Sequence, residues 1–163
     1  MNIIKAKQNE LIEAFFLLKT HLREICSAGW LSWDLHFDSL SKEIENGMVY
    51  MYKADYLILG LIILSAEASE EYKTLRWSVN SKKPLIVKHL IDHPIWRKYG
   101  IADHLLVFAE DFAKDQGFTS LRLDAYGNNQ EIISTFLHYN YQQTGQIQTP
   151  AQKVPFYCFE KVL

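Results

Sequence analysis

The sequence predicts an α/β domain built on a mixed sheet, and three observations carry that expectation. Leu11, Phe15, Leu18, Leu22 and Ile25 recur at steps of four and three, the mark of one helical face turned toward a core. Two β-rich runs at 48–53 and 56–65 are parted only by Ala54 and Asp55, the spacing of a tight antiparallel hairpin. A strand-like run from Pro84, a helical stripe and LRLDAY at 121–126 then follow in order, and strand, helix, strand implies a parallel crossover.

The elements are expected as follows. Residues 2–6 form a short strand, and the first helix ends before Gly29. GWLSWDLHF at 29–37 reads as an aromatic loop, and a short helix over about 39–46 is stopped by Gly47, whose permissive backbone suits a helix end. After the hairpin, the segment 66–83 is charged and then alternates Leu75, Trp77 and Val79, which predicts a loop enclosing a short strand. LIVKHLI extends from Pro84 toward Pro94; Ile101, Leu105, Phe108 and Phe112 mark a helix closed by Gly117. Asn129 opens a shorter helix carrying Ile132, Ile133, Phe136 and Leu137, and strand-like segments at 141–147 and 154–162 close the chain across a loop with Pro150.

A chain of 163 residues, 48% hydrophobic, supports one core without disulfides or metal, so residues 1–163 are expected to form a single domain. The net charge is -2, and the longest basic runs are the pairs Lys82-Lys83 and Arg97-Lys98, which omits the electrostatic footprint of a nucleic-acid binder. Cys26 and Cys158 lack zinc-site or redox-motif spacing and suit free thiols in a reducing, cytoplasmic compartment. MNIIKAKQNE has no apolar signal core, and the apolar run 56–64 contains Gly60 and is too short to cross a bilayer, so a soluble protein with no membrane partner is expected.

The stretch PIWRKYGIADHLL, residues 94–106, carries the functional signal. A helix entrance exposes unpaired N–H groups at the positive end of the helix dipole, a natural seat for phosphate. Gly100 lets that backbone approach a bulky anion, Ala102 keeps the next inward position small, and Arg97 and Lys98 add positive charge. The plainer reading is a turn at Gly100 beside a solvated Arg97. Neither G-x-x-x-x-G-K-[ST] nor G-x-G-x-x-G occurs, which excludes the Walker and dinucleotide-fold loops.

With those residues in view, 84–163 resembles the GNAT superfamily of N-acetyltransferases, whose acetyl-CoA pyrophosphate loop reads Arg/Gln-x-x-Gly-x-Gly/Ala. WRKYGIA supplies Arg97, Gly100 and Ala102 in those places; LIDHP, RLDAYGNNQ and FYCFEKVL resemble the flanking strand end, the next strand with its Asn-led helix, and the closing strand. The resemblance implies a GNAT-like acyl-CoA N-acyltransferase fold, a mixed, largely antiparallel sheet flanked by helices, with its fourth and fifth strands parallel and splayed. It further implies acetyl-CoA as cosubstrate, bound by Leu90, Ile91, Asp92, Arg97, Lys98, Tyr99, Gly100, Ile101, Ala102 and Asn129. The acceptor is then an amine, and a homodimer is a further expectation because relatives commonly pair.

Two departures bear on catalysis. In the family's Leu-Tyr-Glu-Lys-Leu-Gly-Phe pattern the tyrosine protonates the departing thiolate; TFLHYNY at 135–141 puts Phe136 there, and the nearest hydroxyl on that helical face is Tyr139. A thiol of pKa about 8.5 needs only roughly 2 kcal/mol of protonation driving force near neutrality, whereas an alkyl ammonium of pKa about 10.4 must lose a proton at a cost of roughly 4 to 5 kcal/mol. Base candidates are His89, Asp92 and His93, directly or through water. Asp92 is the second departure, since relatives commonly carry an apolar residue there. His89-x-x-x-His93 lacks the glutamate of H-E-x-x-H and lies on an expected strand, so no metal site is expected. Trp30, Trp33, Tyr50, Tyr52 and Trp77 are read either as packing or as the wall of an acceptor pocket. The alternative to an enzyme is a non-catalytic CoA-binding sensor or interaction module of the same fold.

Overall fold

The computed structural model describes residues 2–25, 37–78, 82–148 and 153–163. Strands β1 (Asn2–Lys5), β2 (Val49–Ala54), β3 (Leu57–Ser65), β4 (Pro84–Asp92), β5 (Ser120–Tyr126), β6 (Gln142–Ile147) and β7 (Phe156–Val162) form one sheet in the order β1-β2-β3-β4-β5-β7-β6. Helices α1 (Leu11–Ile25), α2 (Phe37–Glu45), α3 (Glu70–Lys73), α4 (Ile101–Asp115) and α5 (Gln130–His138) accompany it. β4 and β5 are parallel, and the other described ladders are antiparallel. By backbone contacts the chain parts into two compact units, residues 1–64 with 89–108 and residues 65–88 with 109–163.

In the first unit the hairpin forms as expected, turning at Asp55 with φ 52°. Alternation along its strands sorts side chains to two faces. Val49, Met51, Leu61 and Ile63 join Leu11, Ala14, Leu17 and Leu18 of α1 and Leu40 and Ile44 of α2 in one buried core. Tyr50 and Tyr52 face the other way, toward Phe108 at 4.8 Å and His104 at 5.4 Å between ring centroids. These two tyrosines are therefore packing residues. On the same face Gly60 admits α4 closely: a Cβ there would stand 2.6 Å from Ile101 Cγ2 and from the Ile91 carbonyl oxygen.

In the second unit the parallel ladder pairs Pro84 to Val87 with Ser120 to Leu123, and both strands run past its last pair. β7 lies antiparallel to β5 along its whole length and carries β6 on its other side. Phe136 of α5 is fully buried between Tyr141 and Phe159, at 5.9 and 5.5 Å. Among the described residues, no strand forms around Leu75 and Trp77. Ser69 instead caps α3 by accepting from the Tyr72 N–H, and the Trp77 indole N–H donates to the Tyr72 carbonyl at 2.7 Å, which fixes the segment without a partner strand. Trp30, Trp33, Val79, Pro150 and Cys26 lie outside the described residues.

Candidate functional site

β4 delivers the chain to a single 3-10 turn, Pro94–Trp96, because Pro94 has a fixed φ and needs no N–H partner. His93 caps that turn, its Nδ1 accepting from the Ile95 N–H at 3.3 Å. Lys98 and Gly100 then adopt left-handed φ values of 76° and 72°, an arrangement that glycine takes without strain and lysine does not. A Cβ on Gly100 would meet nothing closer than 3.7 Å, so backbone conformation rather than space calls for glycine. Its carbonyl accepts the first helical hydrogen bond of α4, from the His104 N–H at 3.1 Å, and also the His104 Nδ1–H at 2.8 Å.

The consequence is a concentration of donors. The N–H groups of Lys98, Gly100, Ile101, Ala102 and Asp103 donate to no described residue. Glycine at the position before the helix supplies no side chain to cap them, and the left-handed Lys98 and Gly100 bend the backbone in the manner of turns whose successive N–H groups can cradle an anion.

Arg97 is held at this entrance rather than left in solvent. Its Nε donates to Asp92 Oδ1 at 3.1 Å, across a half-buried ion pair. Asp92, read from the sequence as a base candidate, thus orients the loop's arginine. Close by in charge terms stand His21 of α1 and His89 of β4. The His21 Nδ1 is buried without a hydrogen-bond partner. Burial, then the positive charge of His89 and Arg97, pushes its pKa down to about 3, so it is neutral at physiological pH. Nothing in its spacing marks His21, which lies on the helix as one more polar position. Among the strand residues, Ile91 is fully buried, while Leu90 and His89 are half-buried.

In the second unit Asn129 caps α5, its side chain accepting from the Ile132 N–H at 3.3 Å. Tyr139 sits at the other end of that helix, half-buried, with its ring edge-on to His138 at 5.3 Å. A polar cluster that sequence reading did not single out joins α3 to β5: the Tyr72 hydroxyl donates to Asp124 Oδ2 at 2.6 Å. Burial drives the Asp124 pKa up to about 6, with the Tyr72 bond acting against it. The only sequence signal was an aspartate inside an apolar strand run, a position where a charge is costly. Among the described residues no three His, Cys, Asp or Glu side chains gather as a metal site, and no helix is long and apolar enough to cross a membrane.

No protein-family model matches the sequence, and no curated relative does. Solved structures do match. An acetyltransferase of the GNAT family from Streptococcus agalactiae superposes with a TM-score of 0.81 at 16% identity, covering 99% of this chain and 95% of its own. A ribosomal-protein-alanine N-acetyltransferase from Brucella melitensis gives 0.78 at 13% identity over 100% of both chains. PaiA N-acetyltransferase from Thermoplasma acidophilum, in complex with coenzyme A, gives 0.70 at 20% identity over 99% of this chain and 98% of its own. With its strand order, its parallel β4–β5 pair and these full-length matches, the chain has the fold of the GNAT acetyltransferases.

Proposed function

We propose that the protein transfers the acetyl group of acetyl-CoA to a primary amine of a small molecule or peptide. One observation carries this reading: the unpaired N–H groups of Lys98 and of Gly100 to Asp103, beside an arginine braced by Asp92. Such a seat suits a pyrophosphate, which offers several anionic oxygens to donors that need no rearrangement to meet them. Leu90, Ile91 and Asp92 of β4 would carry the pantetheine arm and polarise the thioester carbonyl through backbone N–H groups. Tyr99, Ala102 and Asn129 complete the set by family resemblance.

The reaction is direct. The neutral amine attacks the thioester carbonyl carbon, the C–N bond forms as the C–S bond breaks, and the departing sulfur takes a proton. The products are the amide, the CoA thiol and one proton from the original ammonium. A covalent cysteine route has little support, since burial pushes the Cys158 thiol up to about 12, leaving it un-ionised.

A second reading, a CoA-binding module without turnover, is favoured by Phe136, a core residue where the family's acid would stand. Incubation with acetyl-CoA and pooled polyamines, amino acids, aminoglycosides and lysine peptides separates the two. Acceptor-dependent release of CoA thiol supports the enzyme; tight CoA binding without release supports the module. Gly100→Val, strained at φ 72°, is expected to weaken CoA at least tenfold in a calorimetric titration while the circular dichroism stays native. Unchanged affinity sinks the loop assignment. A cytoplasmic location and pairing of two copies through β6, which lies at an edge of the sheet, belong to the same reading.

A further inference from the structure

One carbonyl at the entrance to α4 carries two hydrogen bonds. The Gly100 oxygen accepts the His104 backbone N–H at 3.1 Å, the ordinary first bond of a helix, and the ring Nδ1 of the same residue lies 2.8 Å from it. A carbonyl oxygen only accepts, so the proton of the second bond resides on Nδ1. The backbone bond alone would start the helix; the ring bond is surplus to that task.

The ring is also held from its face. It stacks on Tyr52 of β2, with 5.4 Å between centroids and 17° between planes. Tyr52 is buried in mid-sheet, in register with Ile3 on one side and Gly60 on the other. His104 itself is exposed, so burial gives little reason for ordering it against the loss of rotamer freedom. What the order does for the loop supplies a better one.

The Gly100 carbonyl and the Ile101 N–H belong to one planar trans peptide, in which the two bonds point in opposite directions. Anchoring the oxygen toward α4 therefore aims the Ile101 N–H away from the helix, among the N–H groups of Lys98, Gly100, Ala102 and Asp103 that donate to no described residue. Gly100, at φ 72° and without a side chain, cannot fix that plane by its own packing.

We propose that His104 is a positioning residue for the anion-binding entrance: its Nδ1–H locks the Gly100–Ile101 peptide so that the Ile101 N–H is aimed at a pyrophosphate before the ligand arrives. The pyrophosphate as ligand rests on the acetyl-CoA reading, while the lock itself lies wholly within the first unit. A donor set in advance spares the ligand the cost of ordering it. The coupling runs both ways, because an anion on the Ile101 N–H polarises the peptide and makes the Gly100 oxygen a stronger acceptor for the ring.

Two measurements on the full chain test this. The first reads the ring by long-range 15N–1H correlation in mildly alkaline buffer, with His104 assigned by His104→Phe. The proton is expected on Nδ1, and its resonance and that of the Ile101 amide are expected to move when inorganic pyrophosphate is added. A proton on Nε2, or an Ile101 amide that ignores pyrophosphate, overturns the proposal. The second compares affinities for CoA and for inorganic pyrophosphate, with the circular dichroism required to stay native. His104→Phe keeps a ring to stack on Tyr52 but loses the donor, and is expected to bind both about five- to tenfold more weakly. His104→Asn places an amide N–H where Nδ1 stood and is expected to recover most of that loss, although it stacks less well than phenylalanine; a role in packing alone would give the opposite order. His104→Phe that binds as tightly as wild type, or His104→Asn no better than His104→Phe, overturns the proposal. If pyrophosphate behaves as expected across the three proteins but CoA binds wild type no more tightly than pyrophosphate does, the acetyl-CoA reading fails and the lock stands.

Discussion

Gly60 illustrates how much one side chain, or its absence, decides. Mid-strand glycine is costly in backbone entropy, yet here it lets Ile101 and the Ile91 carbonyl come within 2.6 Å of where a Cβ would be. Ile101 opens α4, and Ile91 belongs to the strand that leads into the loop. Gly60→Ala must therefore push against backbone on one side and a helix start on the other. A loss of about 1–3 kcal/mol is expected, seen in calorimetry as a fall in Tm of roughly 3–10 °C; an unchanged Tm would show that the close approach is not rigid. In the sequence Gly60 merely interrupted an apolar run. Its meaning depended on what crosses over it, which no local pattern encodes.

At the scale of elements, local chemistry was the better guide. α5 begins where an asparagine precedes an apolar helical stripe, and the structure places Asn129 as its cap. Asn129→Ala should cost about 1 kcal/mol in urea unfolding, while Asn129→Asp should cost little, because aspartate caps as well and favours the helix dipole. Equal losses from both would assign the amide N–H a role that capping does not explain. Gly47, Gly100 and Gly117 all take φ values near 70° at helix ends, as expected of the residue that bears such a backbone without strain. The described residues of the segment 66–83 went the other way. Its alternation suggested a strand, but a strand requires a neighbour to pair with, and the Ser69 cap with the Trp77 to Tyr72 hydrogen bond offered a short helix instead.

Across the whole molecule, burial sets two titrations against each other. His21 has a pKa of about 3 when folded against 6.5 ordinarily. Between those values the unfolded chain binds the proton and the folded one does not, so this histidine makes stability rise with pH, by about 1.4 kcal/mol per unit. Asp124 is raised from 3.8 to about 6. In that window the folded chain binds the proton and the unfolded one does not, so this aspartate makes stability fall as pH rises. From pH 3.8 to about 6 the two slopes oppose. Asp124→Asn should remove one of them, and its stability relative to wild type, from denaturant unfolding, should climb as pH rises through that window. A difference that stays flat would mean Asp124 titrates at its ordinary pKa in the folded protein.

Apart from α3, the order of strands and helices, the helix ends and the glycine-bearing entrance to α4 at Arg97 to Ala102 were legible in the sequence alone, because periodicity, turn chemistry and capping act over a few residues and leave their pattern there. The tertiary structure decided what lies beyond that range. Tyr72 meets Asp124 across 52 residues, His21 of α1 lies within electrostatic reach of His89 and Arg97, and Asp92 turns to brace the loop's arginine. Each depends on which side chains packing brings together and on how much water it removes. Desolvation belongs to the assembled core, so the sequence could name carboxylates and histidines, but only the fold could make them unequal.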